Sequence, residues 1–104
     1  DAEEVALPAS DIDLLIDGFE SERIAKSLQQ ILDWLPRHRE ILIAAAMFDR
    51  DARRVGDHLN ISPENARVRL FRARKAAAAE LGRRGYRTLG DFLDEPADGR
   101  EIQP

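Results

Sequence analysis

Residues 62–81 read SPENARVRLFRARKAAAAEL, and the spacing of their side chains predicts an amphipathic helix. At about 100° per residue, five apolar positions fall on one stripe that we expect to be buried. These positions are Ala66, Leu70, Ala73, Ala77 and Leu81. The opposite face is mixed, and it consists of Glu64, Val68, Phe71, Arg72 and Lys75, with Arg67 and Asn65 on its edges.

The mixed face has the chemistry of a DNA-contacting surface. Cations contact phosphates, the forked donors of arginine read guanine edges, and apolar groups contact thymine methyl groups or sugars. The alternative is a solvated arginine face, with Phe71 packed on a neighbouring segment or on a dimer partner.

The residues before this helix predict a capped two-helix unit. Asp51 is placed to cap a short helix, ARRVGDHL at 52–59, and Asn60 tolerates the left-handed conformation of a tight helix exit. Ser62 is a good N-cap, and Pro63 suits the first helical position. Two helices joined by so short a turn form a helix-turn-helix, whose second helix usually reads DNA.

Helical spacing extends over most of the remaining chain. We predict a helix that Ser10 caps and Gly18 ends, a second helix from Ser21 to Pro36, and a third over 36–48. LGDFLDE, from residue 89, predicts one more helical turn. Alternating β patterns are absent, so the sequence predicts an all-α fold.

The predicted architecture is a small bundle of four to five helices with a C-terminal helix-turn-helix. We divide the chain into an acidic linker or short helix at 1–20, a helix-turn-helix domain at 21–85 and an acidic, partly disordered tail at 86–104.

Composition limits the class of protein. A chain of 104 residues, 43% hydrophobic and 35% charged, suits one small soluble domain. It has no cysteine, no signal peptide and no apolar run near the roughly 20 residues that span a bilayer. We therefore predict a cytoplasmic protein with no membrane partner. Because it begins with Asp1 rather than Met, we expect a piece of a longer protein.

The net charge of −4 is unevenly distributed along the chain. Residues 1–20 hold seven acidic and no basic residues, whereas residues 21–87 hold fifteen basic and eight acidic ones. Residues 88–104 hold five acidic residues and one arginine. A basic body with acidic ends is compatible with a polyanionic partner despite the negative total.

Three segments resemble region 4 of bacterial RNA polymerase sigma factors, most closely the extracytoplasmic-function group. They are LPRHREIL at 35–42, RRVGDHLNIS at 53–62 and NARVRLFRARK at 65–75. The resemblance covers about residues 24–81. It implies recognition of the promoter −35 element in the major groove, docking on the flap of the polymerase β subunit and, as a further partner, an anti-sigma factor.

The resemblance also implies roles for individual residues. Base-edge or nearby backbone contacts are assigned to Arg67, Val68, Phe71 and Arg72. Glu64 and Asn65, at the amino end of the reader helix, would approach the duplex. Arg69 corresponds to an arginine that braces the domain, with Glu40 as its expected partner.

The chain departs from the family pattern at three places, one of which is Asn60 in place of the usual glycine. Where the family has Gly-Leu-Ser-Tyr-Glu-Glu, Arg53 and Arg54 stand in the first turn of the short helix, which the helix dipole disfavours. They either contact phosphates or form a solvated surface. Pro63 and Glu64 replace a Val-Gly-like pair, and Glu64 either accepts from cytosine N4 or weakens DNA binding.

The acidic ends allow two interpretations. They are either a linker and a mobile tail, or segments (LLIDGF and GDFLDE) that fold onto the basic reader face and mask it.

Catalysis is not expected. His38 and His58 lack cysteine or clustered carboxylate companions, and no phosphate-binding loop or nucleophile elbow is present, so we predict no enzyme activity, no cofactor and no metal. Two rival functions remain open. One is a dimeric regulator of the response-regulator output type, and the other is a sigma-like protein-interaction module that does not bind DNA.

Overall fold

The computed structural model describes residues 7–94, and every regular element in that range is helical. The six α-helices are α1 (Ala9–Asp17), α2 (Glu22–Trp34), α3 (Arg39–Met47), α4 (Ala52–Leu59), α5 (Pro63–Arg83) and α6 (Leu89–Leu93), with a 3-10 turn at Pro36–His38 before α3. The all-α prediction is confirmed. The predicted count of four to five helices was too low, since α1 and α6 both form.

The predicted caps around α4 and α5 are present. Asp51 accepts hydrogen bonds from the backbone N–H groups of Arg53 and Arg54 at 3.0 and 3.3 Å, and Ser62 accepts one from Asn65 N–H at 3.0 Å. Asn60 is left-handed, with φ of 62°. The turn at 60–62 is thus determined by its own residues.

The start of α1 differs from the prediction. The helix begins at Ala9 with Pro8 as its N-cap, so the expected cap, Ser10, lies inside the first turn and is exposed. Leu7 and Ile12, at the positions of a hydrophobic staple, are both buried. Burial of this pair accounts for a start two residues earlier than the polar cap suggested.

Two further helix ends also differ. The first turn of the predicted third helix is the 3-10 turn, in which His38 N–H bonds to the carbonyl of Leu35 at 2.9 Å. Towards the other end of the chain, α5 extends past the predicted 62–81 helix, through Gly82, to Arg83. Leu81 is fully buried and Glu80 pairs with the following arginines, which offsets the roughly 1 kcal/mol cost of a helical glycine.

All six helices contribute to one apolar core. Helix α5 packs against α4, α1 and α3, while α2 contacts α1, α3 and α6. The predicted stripe of α5 is buried at all five positions. The core therefore extends beyond the predicted 21–85 segment at both ends. Of the predicted tail DEPADGREIQP, only its first residue, Asp94, falls within the described residues.

Candidate nucleic-acid interface

All nine residues predicted to contact DNA are exposed. They are Arg53, Arg54, Glu64, Asn65, Arg67, Val68, Phe71, Arg72 and Lys75. We call this set the outer face. Phe71 and Val68 are 52% and 44% exposed, although both are large and apolar. Side chains of this kind on a basic helix face are suited to contact with an external partner.

Two helices contribute to the outer face. Seven of its residues lie on α5, opposite the buried stripe, because a 3.6-residue period separates the two sets. Arg53 and Arg54 lie in the first turn of α4, where Asp51 caps the helix. The short 60–62 turn keeps α4 and α5 in contact.

The arginines of the outer face differ in the contacts that their side chains make. Within residues 7–94, the side chains of Arg53, Arg67 and Arg72 make no hydrogen bond or ion pair. Arg54 lies 5.2 Å from the centre of the Phe48 ring and 3.9 Å from Asp49. Three arginines are therefore available to an anionic partner without breaking an existing contact.

Lys75 lies over the Phe71 ring, with Nζ 5.3 Å from the ring centre. This cation–π contact is worth only about 0.5–1 kcal/mol at an exposed site, so it leaves the ammonium group free to approach a phosphate.

A cleft of about 490 Å³ lies along one edge of the outer face. It is lined by the side chains of Arg50, Ala52, Val55, Ala66, Arg67, Leu70, Phe71 and Arg74. Its rim carries three guanidinium groups, those of Arg50, Arg67 and Arg74. Arg67 and Phe71 belong to both the cleft and the outer face.

Carboxylates of α1 hold two of the three rim arginines. Arg50 donates from Nε and Nη2 to the two oxygens of Asp17 at 2.8 and 2.9 Å. Arg50 Nη1 is also 3.5 Å from Asp13, and Arg74 Nη1 is 3.6 Å from Asp13. The hydrogen bond from Arg50 lowers the pKa of Asp17 below its ordinary value, and the carboxylate in turn raises the pKa of Arg50.

The expected brace between Arg69 and Glu40 is present, with Nη2 and Oε1 3.9 Å apart. Glu40 is mostly exposed, so the pair contributes at most about 1 kcal/mol. Arg69 itself is half-buried.

Neither acidic segment covers the outer face within the described residues. Helix α1 packs on α5 yet leaves all nine residues exposed. Helix α6 packs on α2, where Arg23 donates to the Leu93 carbonyl and to Asp94, both at 3.0 Å. The masking suggested for LLIDGF and GDFLDE is therefore not seen in residues 7–94.

The sequence did not lead us to predict a role for Gly56, which lies in α4 beside the 60–62 turn. A Cβ atom there would lie 2.6 Å from the Ile61 carbonyl oxygen, so only glycine lets α4 approach the turn this closely. A glycine inside a short predicted helix was the available signal. No sequence pattern predicts the pair between Arg50 and Asp17, because 33 residues separate the two.

Comparison of the chain with protein-family models, curated proteins and solved structures finds no match. None of the helices in residues 7–94 is long and apolar enough to cross a membrane. In the same part of the chain, no three His, Asp or Glu side chains gather where they could hold a metal ion. His58 instead packs against the Phe48 ring, with the ring centres 5.1 Å apart.

Proposed function

We propose that α4, the 60–62 turn and α5 form a helix-turn-helix that recognises the promoter −35 element in the major groove. In this proposal the chain is the region 4 domain of an RNA polymerase sigma factor and acts in the cytoplasm. Its partners are promoter DNA and the flap of the polymerase β subunit. It carries out recognition alone, and catalysis belongs to the polymerase.

The observation that carries the proposal is the open outer face of α5. Phe71 and Arg72 are exposed rather than packed under other parts of residues 7–94, and Arg67 and Arg72 have no partner there. The two arginines supply forked donors for guanine, and Val68 and Phe71 supply apolar contacts for thymine methyl groups or sugars. In this proposal Arg53, in the first turn of α4, contacts a phosphate.

A protein-interaction module that does not bind DNA is the second candidate. It is favoured by Leu14 and Met47, which are 58% and 50% exposed and lie outside the outer face. Glu64, exposed in the first turn of α5, is unfavourable beside phosphates. An anti-sigma factor or the polymerase itself would be the partner of such a module.

One set of titrations separates the two functions. A duplex is first selected from a randomised library by binding to the chain, and its affinity is compared with that of a scrambled duplex. Arg72→Ala should cost roughly 1–3 kcal/mol on the selected duplex and relax the base preference at one position. Arg53→Ala should weaken binding to both duplexes and flatten the salt slope by about one unit.

Arg37→Ala is the matched control, because Arg37 is also exposed and partnerless within residues 7–94 but lies in the 3-10 turn before α3. It should change both affinities little. Selection that enriches no sequence, together with no binding at about 50 mM salt, would support the interaction module instead.

A further inference from the structure

Helix α1 places two carboxylates against the edge of the outer face. Asp13 and Asp17 are four residues apart, so they lie on the same side of the helix. They hold Arg50 and Arg74 in the network described above, in which two positive and two negative charges cancel. Arg67, the third arginine of the cleft, has no carboxylate partner in residues 7–94.

The paired arginines line the cleft at the edge of the outer face. Arg67, Phe71 and Arg74 are spaced by four and three residues, so they form a stripe along one edge of α5. Arg50 lines the same cleft. A strand that follows the edge would therefore pass three guanidinium groups, of which only Arg67 is free.

We infer that Asp13 and Asp17 set the DNA affinity of the outer face by withholding Arg50 and Arg74 from the phosphates. The inference rests on the proposed DNA binding and adds affinity-determining residues that do not themselves touch DNA. Each carboxylate competes with a phosphate for the same guanidinium donors. Phosphate contacts carry affinity without sequence information, so the pairing lowers binding to every duplex alike.

The position of α1, which brings its two carboxylates to Arg50 and Arg74, is fixed by burial of its apolar side chains. Ile12, Leu15 and Ile16 of α1 are at most 1% exposed, and they fasten the helix to the core independently of its charges. Neutralising the two carboxylates should therefore leave α1 in place and release the arginines.

The two arginines are held unequally. Arg50 shares two hydrogen bonds with Asp17, whereas Asp13 Oδ1 and Arg74 Nε are buried and have no hydrogen-bond partner within residues 7–94. The contact between Asp13 and Arg74 is thus electrostatic only. Asp13→Asn alone should therefore remove the carboxylate that pairs with Arg74, while Arg50 keeps its two hydrogen bonds to Asp17.

The test is a salt titration on a mixed-sequence duplex of about 20 base pairs, followed by fluorescence anisotropy. Asp13→Asn with Asp17→Asn should raise the affinity about tenfold at about 0.1 M salt and steepen the salt slope by up to about two units. Glu20→Gln with Glu22→Gln is the control of equal charge, since both residues are exposed and neither contacts the cleft. It should produce a much smaller change.

A third variant identifies the source of the gain in affinity. When Arg50→Gln and Arg74→Gln are added to the two asparagine substitutions, the net charge returns to that of the wild type, and so should the affinity and the slope. The inference would be overturned if the asparagine pair and the glutamine control changed the duplex affinity equally. It would also be overturned if the higher affinity persisted after both arginines were replaced. Circular dichroism verifies that each variant is folded, and the single Asp13→Asn and Asp17→Asn variants repeat the test with smaller perturbations.

The outcomes also separate this inference from promoter recognition. A steeper slope for the asparagine pair, without any preferred sequence in the selection, would support the inference and reject promoter reading. A preferred sequence with identical slopes for all variants would reject only the inference. Absence of duplex binding by every variant would reject both.

Discussion

Gly56 is the residue at which α4 comes closest to the turn that starts α5. Ile61 N–H donates to the Gly56 carbonyl at 2.8 Å, and a Cβ atom at Gly56 would lie 2.6 Å from the Ile61 oxygen and 3.2 Å from that of Ser62. Ser62 is also the N-cap of α5. The absence of a side chain at residue 56 thus helps to fix where α5 begins.

Gly56→Ala should destabilise the chain by about 1–3 kcal/mol, measured by urea unfolding, because the clash is with backbone atoms that cannot rotate away. This cost outweighs the roughly 1 kcal/mol that alanine gains over glycine in a helix. The control is Gly90→Ala, whose Cβ would lie at an ordinary 3.7 Å from Thr88 Oγ1. A Gly56→Ala variant as stable as the control would show that the close approach is not required.

At the scale of whole helices, α4 and the start of α5 were predictable because these boundaries depend on neighbouring residues. Asp51, Asn60 and Ser62 each act on backbone groups two or three residues away, or on their own backbone angles. The periodicity of α5 likewise separated its buried stripe from its outer face. Local chemistry was sufficient for both results.

Helix boundaries that depend on tertiary packing were predicted less well. Ser10 had the right chemistry for a cap, yet burial of Leu7 moved the start of α1 to Ala9. Gly82 is a weak helix former, yet α5 continues through it because Leu81 is buried. The contacts of α1 with the cleft arginines could not be predicted, because they join distant parts of the chain.

The pair between Asp17 and Arg50 links α1 to the loop before α4 and should make stability depend on acid pH. The pKa of Asp17 in the folded chain is lower than its ordinary value of 3.8. The stabilisation is therefore fully present above that value and is lost as the pH falls through the lower folded value. The difference in free energy of unfolding between the wild type and Asp17→Asn should be constant above about pH 5 and shrink below about pH 4.

Urea titrations across this pH range measure that difference. Glu20→Gln serves as the control, because Glu20 is exposed and makes no ion pair within residues 7–94. Its free energy of unfolding should follow that of the wild type at every pH. If the Asp17→Asn difference persisted undiminished at about pH 2, the pair would not be its source.

At the scale of the whole molecule, the negative net charge does not describe the surface that a partner would meet. Asp13 and Asp17 are directed at Arg50 and Arg74, while Asp94 pairs with Arg23 on α2. These acidic side chains are thus held away from the centre of the outer face. The basic residues of that face remain exposed, so local charge favours an anionic partner although the total is −4.

An aromatic cluster joins the end of the described chain to α2. The ring of Phe92 on α6 is 5.8 Å from that of Trp34 and 5.1 Å from that of Tyr86, measured between ring centres. The guanidinium of Arg84 stacks on Trp34 at 3.7 Å. Because Phe92 is buried in the same core as α1 and α5, the cluster is continuous with the rest of the molecule.

A continuous core predicts that all six helices unfold together. Trp34 is the only tryptophan, so its fluorescence reports on the contact between α2 and α6, whereas far-ultraviolet circular dichroism reports on every helix. The two signals should give coincident urea transitions, as expected for a two-state domain. Phe92→Ala should lower both midpoints together, by about 3–5 kcal/mol in free energy of unfolding. If the Trp34 signal changed at a lower urea concentration while the helical signal persisted, α6 would be a separately unfolding attachment, and the single core would extend only from α1 to α5.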